Sequence, residues 1–215
     1  MKGNLLVGQS GGPTAVINSS LAGVIDAAQS APQVKKILGM RFGIEGFLEE
    51  QLLDLTDLSE SERTVLGRTP SSALGSCRYK LADEELPRVK ELLQKHEVRY
   101  FIYIGGNDTM DTIHRVVAQC REEGYDLKGV GIPKTVDNDL FGTDHAPGYP
   151  SAARYVALTT QQAGRLASDM RRVDRFAILQ TVGRDAGWLA ASAALARKEP
   201  GDPPHLIYVP ERPIN

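Results

Sequence analysis

The chain has 215 residues, which is enough for one large domain or one and a half ordinary domains. Apolar residues make up 41% and charged residues 24%, as in globular proteins with a buried core. Lysine plus arginine number 25 against 27 acidic residues, so the basic excess of a nucleic-acid-binding protein is missing. We expect no membrane span, because no run of 18 apolar residues occurs, and no targeting segment. Two cysteines without metal-ligand spacing favour a cytoplasmic location.

Apolar runs and amphipathic stretches alternate along the chain. In chain order these patterns predict strands at residues 5–7, 36–42, 99–104, 129–132, 175–182 and 206–209. Helical spacing of apolar residues predicts helices at residues 14–30, 83–96, 108–123, 151–170 and 185–197. Residues 49–81 are less periodic, so we predict long functional loops there.

This alternation predicts the α/β class, with a three-layer, mostly parallel sheet and helices on both faces. Ligands in such sheets bind at the carboxyl ends of the strands. The last predicted strand is followed at once by the end of the sequence, with no helix to cover it. We therefore expect the second domain to be incomplete and the chain to be the first part of a longer enzyme.

Two glycine-containing loops follow predicted strands. The first has the sequence GQSGGPT at residues 8–14, and the second has GGNDT at residues 105–109. Glycine lets backbone amides approach a phosphate, and a helix N-terminus adds a positive dipole. Asn107 and Asp108 can also hold a hydrated metal ion. The alternatives are a tight strand-to-helix turn in the first loop and plain helix capping in the second.

A third loop, PKTVDND at residues 133–139, concentrates polar groups. Asp137 and Asp139 share a face in an extended chain, so one can accept a proton while the other holds a metal; the alternative is a polar surface loop. Arg175 and Arg184 flank a predicted strand and can bind phosphate, although a surface role is favoured for either one alone. Arg78 follows a Gly-Ser-Cys turn and can reach an anion.

Taken together and in this order, the motifs resemble the phosphofructokinase family. They are GG at 11–12, GSCR at 75–78, GGNDT at 105–109, PKTVDND at 133–139, GTD at 142–144, VGR at 182–184 and VPE at 209–211. The resemblance implies transfer of a phosphoryl group to the 1-hydroxyl of fructose 6-phosphate in glycolysis. It also implies Mg²⁺ as cofactor and a homo-oligomer, either a dimer or a tetramer, because Arg175 resembles an arginine that reaches the sugar phosphate of a neighbouring subunit.

The family's roles carry over position by position. Asp137 resembles the general base, and Arg78 the arginine that stabilises the transferring phosphoryl group. Asn107 and Asp139 stand at the magnesium positions, although Asn107 replaces the more usual aspartate. The implied donor-binding positions are Gly11, Gly12, Gly106 and Thr109. The implied fructose 6-phosphate positions are Thr135, Val136, Asp137, Arg175, Val182 (in place of the usual methionine), Gly183, Arg184 and Glu211.

The donor is indicated by two departures from the ATP-using members, which usually have glycine where Asp108 and Lys134 stand. Members that use pyrophosphate resemble this chain at both positions. A carboxylate at Asp108 would repel the α-phosphate of a nucleotide, and Lys134 would place a point charge beside the leaving phosphate. We therefore expect pyrophosphate as the donor and include Asp108 and Lys134 with Asp137 and Arg78 in the catalytic set.

The resemblance divides the chain into a pyrophosphate-binding domain, residues 1–145, and the start of a sugar-phosphate-binding domain, residues 146–215. Two alternative enzymes, one of the same class and one of another, are opposed by the sequence. An ATP-dependent phosphofructokinase is opposed by Asp108 and Lys134, and a dinucleotide-binding dehydrogenase by the lack of GxGxxG after the first strand. A non-catalytic, phosphate-binding regulatory subunit remains open.

Overall fold

The computed structural model describes residues 1–212, which divide into two compact units: Met1–Lys134, and a second unit that begins at Thr135. Within the described part of the chain, the first unit contains a five-stranded sheet with strand order β3-β2-β1-β4-β5. Its strands are β1 (Gly3–Gln9), β2 (Val34–Met40), β3 (Leu52–Asp54), β4 (Val98–Gly105) and β5 (Lys128–Pro133). Neighbouring strands are parallel except for the antiparallel pair β2 and β3. The predicted mostly parallel sheet is confirmed.

Helices cover both faces of this sheet. They are α1 (Ile17–Gln29), α2 (Gly43–Leu48), α3 (Glu60–Arg68), α4 (Leu86–Lys95) and α5 (Asn107–Glu122). Leu5 and Val7 of β1 point to the face that carries α1, and Leu6 points to the face that carries α2, α4 and α5. Successive side chains of a strand point to opposite faces, so the central strands are apolar on both sides. The helices therefore form the outer layers of the predicted three-layer fold.

The distance between α5 and the sheet depends on two glycines of β5. A Cβ atom on Gly129 would lie 2.2 Å from Cγ2 of Val117, and one on Gly131 would lie 2.4 Å from Sδ of Met110. Neither separation is tolerated between carbon or sulfur atoms that are not bonded. The missing side chains therefore allow α5 to lie directly on the backbone of β5.

The second unit contains α6 (Tyr149–Asp169), α7 (Trp188–Ser192) and a 3-10 turn, Ala193–Ala196. The turn packs beside α6, where the Gln161 side-chain amide donates to the carbonyl oxygen of Ala196 at 3.0 Å. Gly164 of α6 faces Pro203 so closely that a Cβ would lie 2.0 Å from the proline ring. Within the described residues, no helix has the length and apolar content needed to cross a membrane.

Several predicted elements need correction. Residues 175–182 and 206–209 form no strand in the described structure, and Phe176 is 79% exposed. A strand needs hydrogen bonds from a neighbour, and these stretches have none in the described sheet. The helix predicted at 185–197 is confined to α7 and the 3-10 turn. The stretch predicted as loops, 49–81, contains β3 and α3.

The helix that the sequence analysis missed, α3, buries none of its residues. It therefore lacks the apolar periodicity on which the helix predictions rested. Its start is nevertheless encoded by Ser59, which accepts from the Glu62 N–H while the Glu62 carboxylate accepts from the Ser59 N–H. This reciprocal capping box was the available signal. The assignment of residues 1–145 to donor binding and 146–215 to sugar-phosphate binding stays a prediction.

Candidate active site

The loop after β1 carries the first predicted donor-binding glycines. Gly11 has φ +73°, a backbone conformation that glycine adopts without steric cost. Gly12 is exposed, and a Cβ placed on it would have no atom within 4 Å. A Cβ on Gly11 would lie 2.9 Å from Nζ of Lys134 and 3.8 Å from the backbone nitrogen of Gly106. The two predicted glycine loops and Lys134 are therefore close together in the first unit.

Lys134 lies directly after β5 and is only 3% exposed. Its backbone N–H donates to the carbonyl oxygen of Gly105 at 3.0 Å, which continues the pairing between β4 and β5. Its ammonium donates to the carbonyl oxygen of Gly12 at 2.8 Å. A buried ammonium is expensive to desolvate, so it is found where hydrogen-bond or ionic partners compensate its charge. This arrangement directs a positive charge toward the loop after β1.

The loop after β4 leads into the N-terminus of α5. A Cβ on Gly105 would lie 2.1 Å from Oγ1 of Thr109, so glycine is required there for the first turn of α5 to approach the strand. Thr109 is buried, whereas Asn107 and Asp108 are exposed in the first turn. The N-terminal amides of a helix attract anions. The exposed Asp108 carboxylate adds a negative charge to the same turn.

The loop that carries Arg78 is tied to the loop after β1. The Ser76 hydroxyl donates to the carbonyl oxygen of Gly11. The carbonyl oxygen of Cys77 accepts from the Gly11 N–H at 3.3 Å and from the Ser10 hydroxyl at 3.3 Å. Arg78, the next residue, is exposed. Its backbone is thus held beside the glycine loop while its guanidinium extends toward solvent.

In the second unit, residues 135–148 form a closed turn around the predicted general base. Thr135 pairs with the far end of this turn, donating its N–H to the carbonyl oxygen of Pro147 at 2.9 Å. The Asp137 N–H donates to Oγ1 of Thr135 at 3.1 Å. Asn138 is buried and has φ +59°. Its side chain fixes the turn, because Oδ1 accepts from the Ala146 N–H at 2.7 Å and Nδ2 donates to the carbonyl oxygen of Asp144 at 3.0 Å. Asp137 is half-buried on this fixed backbone.

The remaining predicted sugar-binding residues before Glu211 lie outside helices and strands. Val136 is half-buried beside Asp137, whereas the side chains of Arg175, Val182 and Arg184 are exposed. Gly183 lies between the last two at φ +118°. The structure therefore leaves Arg175 and Arg184 on a stretch that lacks a strand partner among the described residues.

Glu211, predicted to contact the sugar, receives a hydrogen bond at the start of α7. Its Oε1 accepts from the backbone N–H of Gly187 at 2.7 Å. This hydrogen bond lowers the pKa of the Glu211 carboxyl below its usual value. A carboxylate at a helix N-terminus is favourable because it compensates the dipole. Glu211 thus has a helix-capping role in this chain in addition to its predicted one.

The two predicted magnesium positions offer oxygen donors, which are the ligands that Mg²⁺ prefers. Asn107 presents an amide and Asp139 a carboxylate, and both side chains are exposed. Among the described residues, no group of three or more histidine, cysteine or acidic side chains is arranged to hold a metal. Mg²⁺ commonly keeps several waters and binds through one or two carboxylates plus substrate phosphates. Each of the two side chains, taken by itself, offers an oxygen ligand of the kind that such an ion accepts.

The sequence model of the family described as Phosphofructokinase matches residues 4–215. The chain belongs to the phosphofructokinase family. The predicted resemblance is thereby confirmed, and the five-stranded sheet with its glycine loops is the phosphofructokinase fold in this chain.

Two similar proteins and one solved structure carry names that specify pyrophosphate as the phosphoryl donor. The phosphofructokinase chain is 45% identical to the pyrophosphate–fructose 6-phosphate 1-phosphotransferase of Xanthomonas campestris pv. campestris (strain B100), over 98% of this chain and 51% of that protein. It is 43% identical to the enzyme of the same name from Halomonas elongata, over 97% of this chain and 51% of that one. The crystal structure of the pyrophosphate-dependent phosphofructokinase from Marinobacter aquaeolei superposes with a TM-score of 0.89 at 42% identity, covering 100% of this chain and 54% of that one. The chain thus spans about half the length of these relatives.

Sequence reasoning missed two residues beside this site, Gln9 and Asn18. Both are fully buried amides next to the loop after β1, and they bond to each other at 2.9 Å. The available signal was a polar side chain at the end of an apolar strand and another in the first turn of an amphipathic helix. Polar groups in such positions are buried only when hydrogen bonds compensate them.

Proposed function

We propose that this chain carries the donor-binding half of a pyrophosphate-dependent 6-phosphofructokinase. The enzyme transfers a phosphoryl group from pyrophosphate to the 1-hydroxyl of fructose 6-phosphate, and gives fructose 1,6-bisphosphate and phosphate. The observation that carries the proposal is the buried Lys134 ammonium, 2.8 Å from the Gly12 carbonyl oxygen in the glycine loop. The names of the relatives support the same reaction.

Pyrophosphate suits the first unit for electrostatic reasons. A positive charge held in place before the reaction stabilises charge that develops on the leaving phosphate, without the cost of reorganising solvent. Gly11, Gly12, Gly106 and Thr109 are the proposed donor-binding residues, and Arg78 stabilises the transferring phosphoryl group. The exposed carboxylate of Asp108 repels the additional phosphate of a nucleotide. Lys134 and Asp108 together thus favour the smaller donor.

Asp137 is the proposed general base. Phosphoryl transfer needs mainly positioning and charge stabilisation, together with a group that accepts the proton of the attacking hydroxyl. The turn closed by Thr135 and Asn138 holds the Asp137 backbone, which supports this role. The residues proposed to bind the sugar phosphate are Thr135, Val136, Arg175, Val182, Gly183, Arg184 and Glu211. Since pyrophosphate and a sugar bisphosphate have similar transfer potential, we expect the reaction to run in both directions.

The proposed cofactor is Mg²⁺, with Asn107 and Asp139 as the protein groups that would hold it. When bound, Mg²⁺ neutralises charge on phosphate oxygens. We also propose that the enzyme is a homo-oligomer, either a dimer or a tetramer, in which Arg175 reaches a neighbouring subunit. A cytoplasmic location is proposed because Cys77 and Cys120 are both free thiols, as suits a reducing compartment.

The role of Asp137 is tested by Asp137→Ser in the protein as its gene encodes it. Loss of a general base typically lowers turnover by about a hundredfold to ten-thousandfold, and we expect a loss of that size. The matched control is Asp126→Ser, which removes an exposed carboxylate that pairs with Lys128 at the opposite end of β5. Turnover of fructose 6-phosphate with pyrophosphate is the measurement. Near-normal turnover of Asp137→Ser would contradict the assignment.

The donor is tested by measuring the rates with pyrophosphate and with ATP at equal concentration. We expect the rate with pyrophosphate to be at least about tenfold higher than the rate with ATP. A tenfold difference in rate requires only about 1.4 kcal/mol of charge repulsion between Asp108 and the nucleotide. A preference for ATP would overturn the roles given to Asp108 and Lys134. Binding of pyrophosphate without turnover of the sugar would identify a regulatory subunit instead.

A further inference from the structure

A buried pair of amide side chains lies next to the loop after β1 and the stretch that leads to Arg78, both of which contact the donor in the proposed function. Gln9 is the last residue of β1 and is 0% exposed, and Asn18 lies in the first turn of α1 and is 1% exposed. An amide side chain carries two N–H donors and an oxygen with two acceptor sites. Burying it without partners is costly, so the partners of this pair show what the pair does.

Gln9 uses every donor and acceptor site of its side chain. Its Nε2 donates to the carbonyl oxygen of Ile17 at 3.2 Å and to Oδ1 of Asn18 at 2.9 Å. Its Oε1 accepts from the Leu74 N–H at 2.9 Å and from the Ser72 hydroxyl at 2.9 Å. One side chain therefore connects the end of β1 and the start of α1 with the stretch that leads to Arg78.

Asn18 extends the same connection. Its Oδ1 accepts from the Ala73 N–H at 2.9 Å, and its Nδ2 donates to the carbonyl oxygen of Thr69 at 2.9 Å. Residues 69–74 lie outside any helix or strand. Backbone hydrogen bonds hold part of this stretch, since the Ser71 N–H donates to the carbonyl oxygen of Thr14 at 3.3 Å and the Phe42 N–H to that of Leu74 at 2.8 Å. Gln9 and Asn18 add the side-chain hydrogen bonds that join it to the end of β1 and the start of α1.

The position of this stretch matters because it continues directly into the loop of Arg78. Beyond Leu74, the Ser76 hydroxyl and the Cys77 carbonyl oxygen bond to Gly11, as described above. Gln9 itself is followed in the chain by the glycine loop. Gln9 and Asn18 therefore contact the backbone that leads into both loops of the proposed phosphoryl-binding site.

We propose that Gln9 and Asn18 are positioning residues that fix Arg78 relative to the glycine loop and so set the placement of the transferring phosphoryl group. This inference rests on the proposed function. Neither side chain reaches solvent, so neither touches a substrate, and both act through the backbone of the Arg78 loop. Amide groups do not titrate in the physiological range, so this support is insensitive to pH.

The test compares Asn18→Ala with Asn4→Ala in the protein as its gene encodes it. Asn4 lies at the opposite end of β1, and its side chain donates to the His96 carbonyl oxygen at 2.8 Å, so the control removes a similar hydrogen bond remote from the loops. Displacement of a reacting group by about 1 Å can cost about a hundredfold. We expect Asn18→Ala to lower kcat/KM for pyrophosphate by about that factor, with KM for fructose 6-phosphate changed less than about twofold, and Asn4→Ala to change neither.

A double-mutant cycle separates positioning from general damage to the fold. If Asn18 acts through Arg78, the variant with both Asn18→Ala and Arg78→Ala is no slower than Arg78→Ala alone, because the group being positioned is already missing. Multiplicative losses in the double variant would overturn the inference and leave the proposed function intact. Absence of turnover in the unsubstituted protein and in Asn4→Ala would instead overturn the proposed function, and with it this inference.

A milder variant keeps the test decisive if Asn18→Ala does not fold. Ser72→Ala removes one hydroxyl, which lies 2.9 Å from Oε1 of Gln9 and 2.6 Å from the carbonyl oxygen of Gly75 in the same loop. Ser72 is half-buried, and the alanine methyl group occupies part of the same space. We expect a loss of about tenfold in kcat/KM for pyrophosphate, again with the sugar KM unchanged. A loss confined to the sugar KM would contradict the proposed role.

Discussion

Two stretches of the chain have similar residue patterns and different structures. Strand β4 includes the sequence RYFIYI, and residues 175–182 have the sequence RFAILQTV. Each begins with arginine, continues with an aromatic residue and is mostly apolar thereafter, although the second stretch also contains Gln180 and Thr181. Phe101 in β4 is fully buried, whereas Phe176 is 79% exposed.

The difference lies in the neighbours and not in the local pattern. β4 is a central strand, hydrogen-bonded to β1 on one side and to β5 on the other. Residues 175–182 have no strand neighbour in the described structure. β-propensity measures how well a side chain fits a paired, half-buried surface, so the same residues give no strand where a pairing edge is missing. An apolar run is therefore a necessary but insufficient sign of a strand.

The comparison is tested most strongly by amide hydrogen exchange. The amides of residues 101–104 take part in the central ladder, so they should exchange only when the whole unit unfolds. Unfolding free energies of domains are about 5 kcal/mol or more, which slows exchange at least about a thousandfold. The amides of residues 176–181 should exchange near the rate of an unstructured peptide. Equal protection in both stretches would show that residues 175–182 are paired in solution.

A smaller effect is expected from matched truncations. Phe101→Ala should lower the free energy of unfolding by about 3–5 kcal/mol, because it removes a fully buried ring and leaves a cavity. Phe176→Ala should change it by less than about 0.5 kcal/mol, as exposed substitutions do. Urea denaturation of the two variants is the measurement. A comparable loss for Phe176→Ala would place that ring in a core.

The smallest effect is expected in the free energy of unfolding at alkaline pH. It involves a thiol of α5, the helix that covers β4 and β5. Cys120 of α5 belongs to the same core cluster as Phe101, and its burial raises the pKa of the thiol to about 11. A raised pKa in the folded state stabilises the protein below the pKa of the unfolded thiol, and this stabilisation is lost as the pH rises toward 11. The loss should reach about 2–3 kcal/mol, since each pKa unit corresponds to about 1.4 kcal/mol.

The measurement is the free energy of unfolding between pH 8 and 11 for the native chain and for Cys120→Ala. The variant loses packing equally at every pH, so the slope against pH identifies the thiol. We expect the curve of Cys120→Ala to be flatter by about the amount given above. Parallel curves would show that the thiol does not titrate with a raised pKa.

The central sheet was predictable because its strands and helices have apolar periodicity that coincides with real pairing. The glycine loops were also predictable, because the carboxyl ends of parallel strands meet at one edge of the sheet. Helix α3 was missed because it buries no residue and is specified by the capping box of Ser59 and Glu62. The positions of Gln9 and Asn18 gave a local sign of buried polar side chains, but their partners in residues 69–74 lie far along the chain, so their role could not be read from the sequence. Long-range hydrogen bonds of this kind are visible only in three dimensions.

The glycines of β5 have a consequence for evolution at the proposed donor site. Gly131 lies beneath Met110, in the first turn of α5, and that turn carries Asn107, Asp108 and Thr109. A methyl group added at Gly131 would displace the flexible Met110 side chain, whereas one added at Gly129 would press on the stiffer Val117 and push on α5. We therefore expect substitution of Gly129 to shift the turn that is proposed to bind the donor, without changing the identity of any residue in that turn.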